Sequence, residues 1–366
     1  MQRFSSFRDF DWTLVTLLGI MSVFSVLEIR SATAMTKFHG FDGKQIEFLL
    51  VGVVLMFVIS VIDYHRLLEI STWAYAVSIV SLVAVKLVGT KVLGARRWIK
   101  LPGGIHFQPS EWVKLVLILV VARFFWARAG RELTWTDIFK VFALVGVPLL
   151  LVLTQPDLGT SLTYVPVLLA GLFLGGISWK QALTLIVAFA LLGGAVIKSH
   201  KVLKPYQIAR LTSFINPEND PKGTGYQINQ SKIAVGSGGI WGKGTNKGTQ
   251  TQGDFLPIPY TDFIFAALSE EHGFIGAVLV LLLYFLILMR LVENAQTAKD
   301  LPGSFIIMGI VAVLIFQIAV NVGMVVGLMP VTGIPLPLLS YGGSSVLFTF
   351  LALGIVMNIR MRRFVN

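Results

Sequence analysis

The sequence predicts an all-α polytopic membrane protein with about ten transmembrane helices, and three observations carry that reading. Of the 366 residues 55% are hydrophobic and 13% charged, more apolar surface than a soluble fold can hide. Runs of about 18 or more mostly apolar residues recur from end to end, and each is long enough to cross the ~30 Å hydrocarbon layer as a helix. One long segment over residues 198–262 stands apart from these runs as the longest non-membrane stretch. The predicted spans are about 12–30, 45–62, 70–88, 112–127, 139–155, 160–176, 181–197, 263–291, 304–327 and 342–359. All belong to one domain over 1–366, with the long loop lying between helices 7 and 8.

The first run follows Arg8, Asp9 and Asp11 and has no small-residue cleavage site after it, so it reads as a retained span rather than a signal peptide. Ten crossings put both termini on one side. The Arg360-Met361-Arg362-Arg363 run and Arg3, Arg123, Arg128, Arg131 and Arg290 favour the cytoplasm for that side. The long loop then faces outward, and its basic residues do not oppose this, because long loops translocate largely regardless of charge. The 89–110 connection is an outer segment that breaks the rule, with Lys91, Arg96, Arg97 and Lys100. Two readings of these cations stand side by side: contact with lipid phosphates at the headgroups, or a phosphate site matched to the planar fork of arginine. The absence of cysteine excludes disulfides, thiolate catalysis and cysteine-ligated metals.

Polar residues inside or beside apolar spans are the next candidates, since ionisable groups there usually face a cavity or pathway. Span four opens Gln108-Pro109-Ser110-Glu111-Trp112-Val113-Lys114. There Ser110 is placed to cap the helix, and Glu111 and Lys114 share one face, either as a self-neutralising pair or lining a substrate cavity. Asp157 marks the outer turn between spans five and six, where a cap or turn role is the plain alternative. Asp262, in Tyr260-Thr261-Asp262-Phe263, reads by local rules as the N-cap of span eight. Glu270 and Glu271, two turns further, point to different sides, so at least one must meet protein or water.

Within the long loop, Gly225 to Ile233 and Gly236 to Gly244 are rich in glycine. A P-loop would need glycine at 237 and serine or threonine at 244, where the chain has Ser237 and Gly244, so no ATP site is supported. The interleaved tyrosine, isoleucine and tryptophan favour an ordered loop, partly lying on the membrane, over a flexible linker. No metal-ligand spacing shows among the five histidines.

Read together, these segments resemble the SEDS family (shape, elongation, division and sporulation) along essentially the whole chain. The motifs are Asn321 to Gly327, Pro330, Gly333 and Ser340-Tyr341-Gly342-Gly343-Ser344-Ser345, with Gln108-Pro109-Ser110-Glu111, Gln230-Ser231 through Lys243-Gly244, and Thr261-Asp262-Phe263-Ile264-Phe265. The wording Pro330-Val331-Thr332-Gly333-Ile334-Pro335-Leu336-Pro337 is closer to the rod-elongation (RodA) branch than to the division (FtsW) branch. One departure is Pro259-Tyr260, where relatives often carry a polar residue or histidine.

The resemblance implies a peptidoglycan glycosyltransferase that polymerises lipid II at the outer face of the bacterial cytoplasmic membrane during elongation. Its implied partners are a class B penicillin-binding protein and other elongation-complex membrane proteins, with no nucleic acid. It further implies Asp262 as the base that takes the acceptor hydroxyl proton. Arg96, Arg97, Lys100 and Lys114 are the candidates, by charge and location, for holding the pyrophosphate, with Glu111, Asp157, Gln230, Ser231 and Lys243 beside them in substrate binding. No cofactor is certain, though a divalent cation on the substrate pyrophosphate is compatible with the chemistry and no dedicated cage for it is visible. A lipid II flippase and a non-catalytic scaffold for the penicillin-binding protein are the competing readings.

Overall fold

The computed structural model describes residues 9–36, 38–92, 95–100, 106–199, 205–221 and 223–363. Arg3, which bears on the topology, and Arg8, before the first run, lie outside them. The apolar runs fold as α1 (Trp12–Thr33), α2 (Phe41–Val61), α3 (Tyr64–Val88), α4 (Pro109–Trp126), α5 (Trp135–Thr154), α6 (Leu158–Leu162), α7 (Val165–Leu174), α8 (Trp179–Ser199), α12 (Ile264–Gln296), α13 (Leu301–Val325) and α14 (Gly343–Arg362). Among the described residues seven helices are long and apolar enough to cross a membrane: α1, α2, α3, α5, α12, α13 and α14. The other predicted spans are also helical. Span four is α4, span seven is α8, and span six is interrupted, its two pieces α6 and α7 meeting at buried Tyr164 with Pro166 opening the second.

The chain passes back and forth so that one end of the bundle holds the N-terminal start of α1 and the C-terminal end of α14, and the other holds the long connections. At the terminal end, aspartates cap the helices and meet the arginines. Asp11 caps α1 and pairs with Arg290 (2.9 Å) and Arg360 (3.1 Å), while Asp63 caps α3 and pairs with Arg362 (3.0 Å). The arginine run at the C-terminus is therefore an ion-paired part of the bundle. In the centre, α14 is buried on nearly all sides and α13 on most. The outer helices keep apolar faces such as Val51, Val54 and Val58 of α2 and Phe139 and Leu150 of α5 exposed, as lipid solvent requires.

At the loop end the fold departs from a purely helical one. Residues 90–107 contain a small antiparallel sheet of β1 (Thr90–Val92), β2 (Ala95–Lys100) and β3 (His106–Phe107), in the order β1-β2-β3. Its alternation sends neighbouring side chains to opposite faces, which separates Arg96 from Arg97. The long loop is ordered into α9 (Pro205–Ile215), α10 (Thr224–Ser237) and the short α11 (Thr249–Gln252).

The glycine-rich stretch after α10 has a structural task. Helix α12 is broken at Gly273 (φ 66°, ψ −164°), which leaves backbone groups without helical partners. The loop crosses this break in backbone contact. The amides of Lys243 and Gly244 donate to the carbonyls of Glu270 and Glu271 (3.0 and 2.9 Å), and the amides of Phe274 and Ile275 donate to the carbonyls of Gly239 and Ile240 (2.9 and 3.2 Å). A Cβ at Gly242 would stand 2.2 Å from the Glu271 carbonyl oxygen, so only glycine fits. Irregular backbone at this depth is tolerated because it is buried in protein and hydrogen-bonded.

Candidate active site

Asp262 lies in the turn that leads into α12, and the surrounding motifs hold that turn. The Asn321 side-chain amide donates to the carbonyls of Asp262 (3.0 Å) and Ile334 (2.8 Å), which ties α13 to the turn before α12 and to the segment before α14. The Ser340 hydroxyl donates to the Thr261 carbonyl (2.6 Å) and accepts from the Leu336 amide (2.8 Å), while the Tyr341 amide donates to the Tyr260 carbonyl (2.9 Å). Tyr260 packs among Phe38, Phe41 and Tyr341 at centroid distances of 5.0 to 6.0 Å, an aromatic peg for the turn. Gly333 sits at φ +73°, and a Cβ there would stand 3.3 Å from Asp262 Oδ2. The sequence signature is thus largely the scaffold of one carboxylate.

The cap reading of Asp262 is corrected here. The residue flanking α12 is Phe263, and no side chain caps the helix. Asp262 is half-buried, with its side chain left to the cleft. Burial raises its carboxyl above the usual aspartate range, while Arg210, then Arg97 and the Thr261 hydroxyl pull it back down.

Arg210, on α9, donates to the Thr332 carbonyl (2.9 Å) and stands beside the Tyr206 ring. Arg97, on β2, reaches Asp157 at 3.4 Å and keeps its buried Nε without a hydrogen-bond partner. Thr332 Oγ1 and Asn321 Oδ1 are likewise buried and unpartnered. Such atoms are costly to leave unpaired, and those on Arg97, Thr332 and Asn321 belong to the segments that meet at Asp262, where a polar ligand would complete the bonding.

Asp157 belongs to the wall of this cleft. It caps α6 through the Thr160 amide (3.1 Å), accepts from the Thr160 hydroxyl (3.0 Å) and from Gln108 Nε2 (2.8 Å), and faces Arg97. The Gln108 amide in turn donates to Ser344 Oγ (3.1 Å), so the motif before α4 and the one before α14 meet. Cap and wall are one role for this residue. Ser110 caps nothing, since α4 starts from Gln108 with Pro109 behind it and no side-chain cap. Ser110 is buried, with its carbonyl accepting from Tyr164.

Glu111 and Lys114 form an ion pair at 2.7 Å, and Lys114, fully buried, also lies over the Phe348 ring at 4.2 Å. Its ammonium is thereby committed within the bundle. Ser231 and Lys243 have partners of their own. Ser231 is buried and donates to the Val325 carbonyl (2.9 Å), with half-buried Gln230 beside it on α10. Lys243 pairs with Glu270 at 2.8 Å and donates to Ser237 and Thr249. Arg96 and Lys100 stand exposed on β2.

Arg210 and Tyr206 escaped the sequence reading. Their spacing of four on an amphipathic helix just after span seven is a signal, but it resembles that of any surface helix. As for a cation on the substrate, the cleft carboxylates among the described residues are Asp157 and Asp262. The first already faces four donors, so the pair does not make a cage, and guanidinium groups are the charges arranged there. Elsewhere the fold assembles a donor set that the spacing of histidines did not show: Glu28 of α1 comes together with Glu271 and His272 of α12.

Residues 9–364 match the family described as the cell cycle proteins FtsW, RodA and SpoVE. The chain is 39% identical to the peptidoglycan glycosyltransferase MrdB of Escherichia coli K12, over 96% of this chain and 94% of the relative. The chain belongs to this family. The peptidoglycan glycosyltransferase RodA of Treponema pallidum is 35% identical over 99% of this chain and all of the relative, and stage V sporulation protein E of Bacillus subtilis is 36% identical over 95% and 96%. Division-type FtsW sequences match as well, that of Trichlorobacter lovleyi at 36% over 96% of this chain and 94% of the relative. The rod-elongation branch is the one the RodA matches support.

Among solved structures, a chain from a peptidoglycan synthase complex that coordinates polymerization and crosslinking superposes with a TM-score of 0.84 at 32% identity, covering 98% of this chain and 99% of that one. Rod shape determining protein RodA of Thermus thermophilus, in a variant with one aspartate changed to alanine, superposes at 0.72 and 30% identity, with 98% and 99% covered.

Proposed function

We propose that the Asp262 cleft polymerises lipid II. The chain is a peptidoglycan glycosyltransferase, and the half-buried, uncapped Asp262 carboxylate beside Arg210 and Arg97 is the observation that carries the assignment of its chemistry. A hydroxyl of the acceptor sugar attacks the anomeric carbon of the donor. The new glycosidic C–O bond forms as the bond to the undecaprenyl pyrophosphate breaks, with inversion. The hydroxyl proton passes to Asp262, for which general base catalysis contributes about 10²- to 10⁴-fold. The developing charge on the pyrophosphate is met by the guanidinium groups of Arg97 and Arg210, whose planar forks suit phosphate oxygens. Asp157 holds Arg97, and Gln108 holds Asp157.

The cleft opens at the loop end of the bundle, where a helix terminus meets the interface and prenyl chains can stay in lipid while sugars reach water. We place this end outside the cytoplasmic membrane and both termini inside, on the distribution of Lys and Arg. A class B penicillin-binding protein, which crosslinks the product, is the proposed partner, in keeping with the synthase complex that the fold matches. The deciding experiment supplies purified protein with fluorescent lipid II in detergent, where no membrane remains to flip across. Glycan polymer that vanishes with Asp262→Asn supports the reading, and a lack of polymer from folded wild-type protein with its partner would return the flippase. Maleimide labelling of a Thr245→Cys variant from outside intact cells tests the orientation.

A further inference from the structure

Glu28, near the end of α1, is 2% exposed, and its Oε1 is buried with no hydrogen-bond partner. A carboxylate left so in a bundle of this kind is costly unless something supplies positive charge. Its other oxygen, Oε2, lies 3.3 Å from His272 Nε2, and one ligand atom each from Glu28, Glu271 and His272 lies within 4.8 Å of the others. For bonds of ~2.0–2.1 Å around a tetrahedral ion, neighbouring ligand atoms stand ~3.3 Å apart. The Glu28 to His272 separation already has that value. It is longer than a well-formed charge-assisted hydrogen bond, typically ~2.7–2.9 Å.

We propose that Glu28, Glu271 and His272 bind one divalent transition-metal ion, which fastens α1 to α12 where α12 is broken. Two carboxylates with one imidazole suit Zn²⁺ or Mn²⁺, whereas Ca²⁺ and Mg²⁺ favour oxygen alone. The carboxylate of Glu271 is held from behind: Ser31 Oγ lies 2.6 Å from both of its oxygens and itself accepts from the Asn246 amide (3.0 Å), and Gln252 Nε2 stands 3.4 Å away. Such outer contacts orient metal ligands. The His272 side chain is 35% exposed, which leaves a way in for the ion and room for water as a fourth ligand. His65 at the terminal end supplies the contrast. It also meets two carboxylates, but through different ring nitrogens, Nδ1 to Asp63 (3.0 Å) and Nε2 to Asp300 (2.8 Å), so no single point is shared. The site is separate from the Asp262 cleft and independent of the catalytic assignment.

The test uses the full chain in detergent, stripped with EDTA, dialysed against ZnCl₂ and measured by mass spectrometry for bound metal. About one Zn²⁺ per chain is expected, with affinity about tenfold or more weaker in both Glu28→Gln and His272→Gln, and unchanged in Asp262→Asn and His65→Gln. Since loss of Glu28 can disturb packing, Co²⁺ loaded into the wild type gives a second readout: visible d–d bands displaced by Zn²⁺ and not by Ca²⁺. Failure to retain Zn²⁺, retention that His272→Gln leaves untouched, or equal displacement by Ca²⁺ would each overturn the proposal.

Discussion

Asp262 and Glu270 stand eight positions apart around the start of α12 and are both acidic residues at an apolar helix end, yet the structure treats them in opposite ways. Glu270 is fully buried and saturated. It accepts from the amides of Gln250 (2.9 Å) and Thr251 (3.0 Å), from the hydroxyls of Thr249 and Thr251, and from Lys243 (2.8 Å). Asp262 is half-buried, caps no helix, and is balanced mainly by guanidinium groups acting across a cleft with unpartnered polar atoms. A carboxylate whose lone pairs are all taken holds a structure together, whereas one whose turn is fixed from behind while its oxygens stay open can exchange a proton. Position in the sequence does not separate the two, but their hydrogen-bond partners do.

The sharpest break of this comparison is Asp262→Asn. Polymerisation should fall by about 10²- to 10⁴-fold in a lipid II assay, because an amide has no site for the hydroxyl proton. Stability should hold or rise. Burial lifts the folded-state carboxyl above its unfolded value, so the ionised side chain costs stability at neutral pH, a cost that fades as pH falls towards protonation and that Asn removes. Near-normal synthesis, or a large drop in melting temperature, would contradict the assignment. Glu270→Gln should do the reverse. It leaves Lys243 without its counter-charge and weakens a set of charge-assisted bonds, costing about 3–5 kcal/mol of stability. The melting temperature is the readout, and activity should fall only as the folded fraction falls.

A smaller effect is expected of Glu111 and Lys114, which also make a closed pair, this time inside a span. Removing either partner strands a buried charge, so each single alanine variant should be destabilised, and the double variant should be less affected than the sum by about 1–3 kcal/mol. Additive losses in denaturation would show that the 2.7 Å contact carries no coupling.

Much of the architecture was legible because lipid imposes length and composition on every span, and each of the ten apolar runs is helical in the structure. The break in span six and the one at Gly273 were not legible, since both depend on partners distant in sequence: Tyr164 on the Ser110 carbonyl, and the 238–244 loop across α12. Local rules made Asp262 and Ser110 helix caps, and the tertiary turns overrode both. The glycine motif was visible as a motif, but its purpose, backbone contact with another helix, was not. In the candidate site, Arg97 and Asp157 could be chosen from charge and place. Arg210 looked like one more basic residue of a long loop until α9 folded over the cleft.

The finest test of the comparison is the acid limb of the pH–rate profile. A general base works only when deprotonated, so kcat/KM should decline as pH falls through the raised carboxyl value of Asp262, above the range of an ordinary exposed aspartate. Arg210 is the strongest charge lowering that value and Arg97 the next. Removing a cation makes the carboxylate harder to ionise, so Arg210→Gln should shift the limb to higher pH, and Arg97→Gln should shift it in the same direction by less. A loss of pyrophosphate contacts alone lowers the rate at every pH and leaves the limb where it was. The position of the limb therefore separates an arginine that tunes the base from one that only holds the leaving group, and a limb unmoved in both variants would confine Arg210 and Arg97 to the second role.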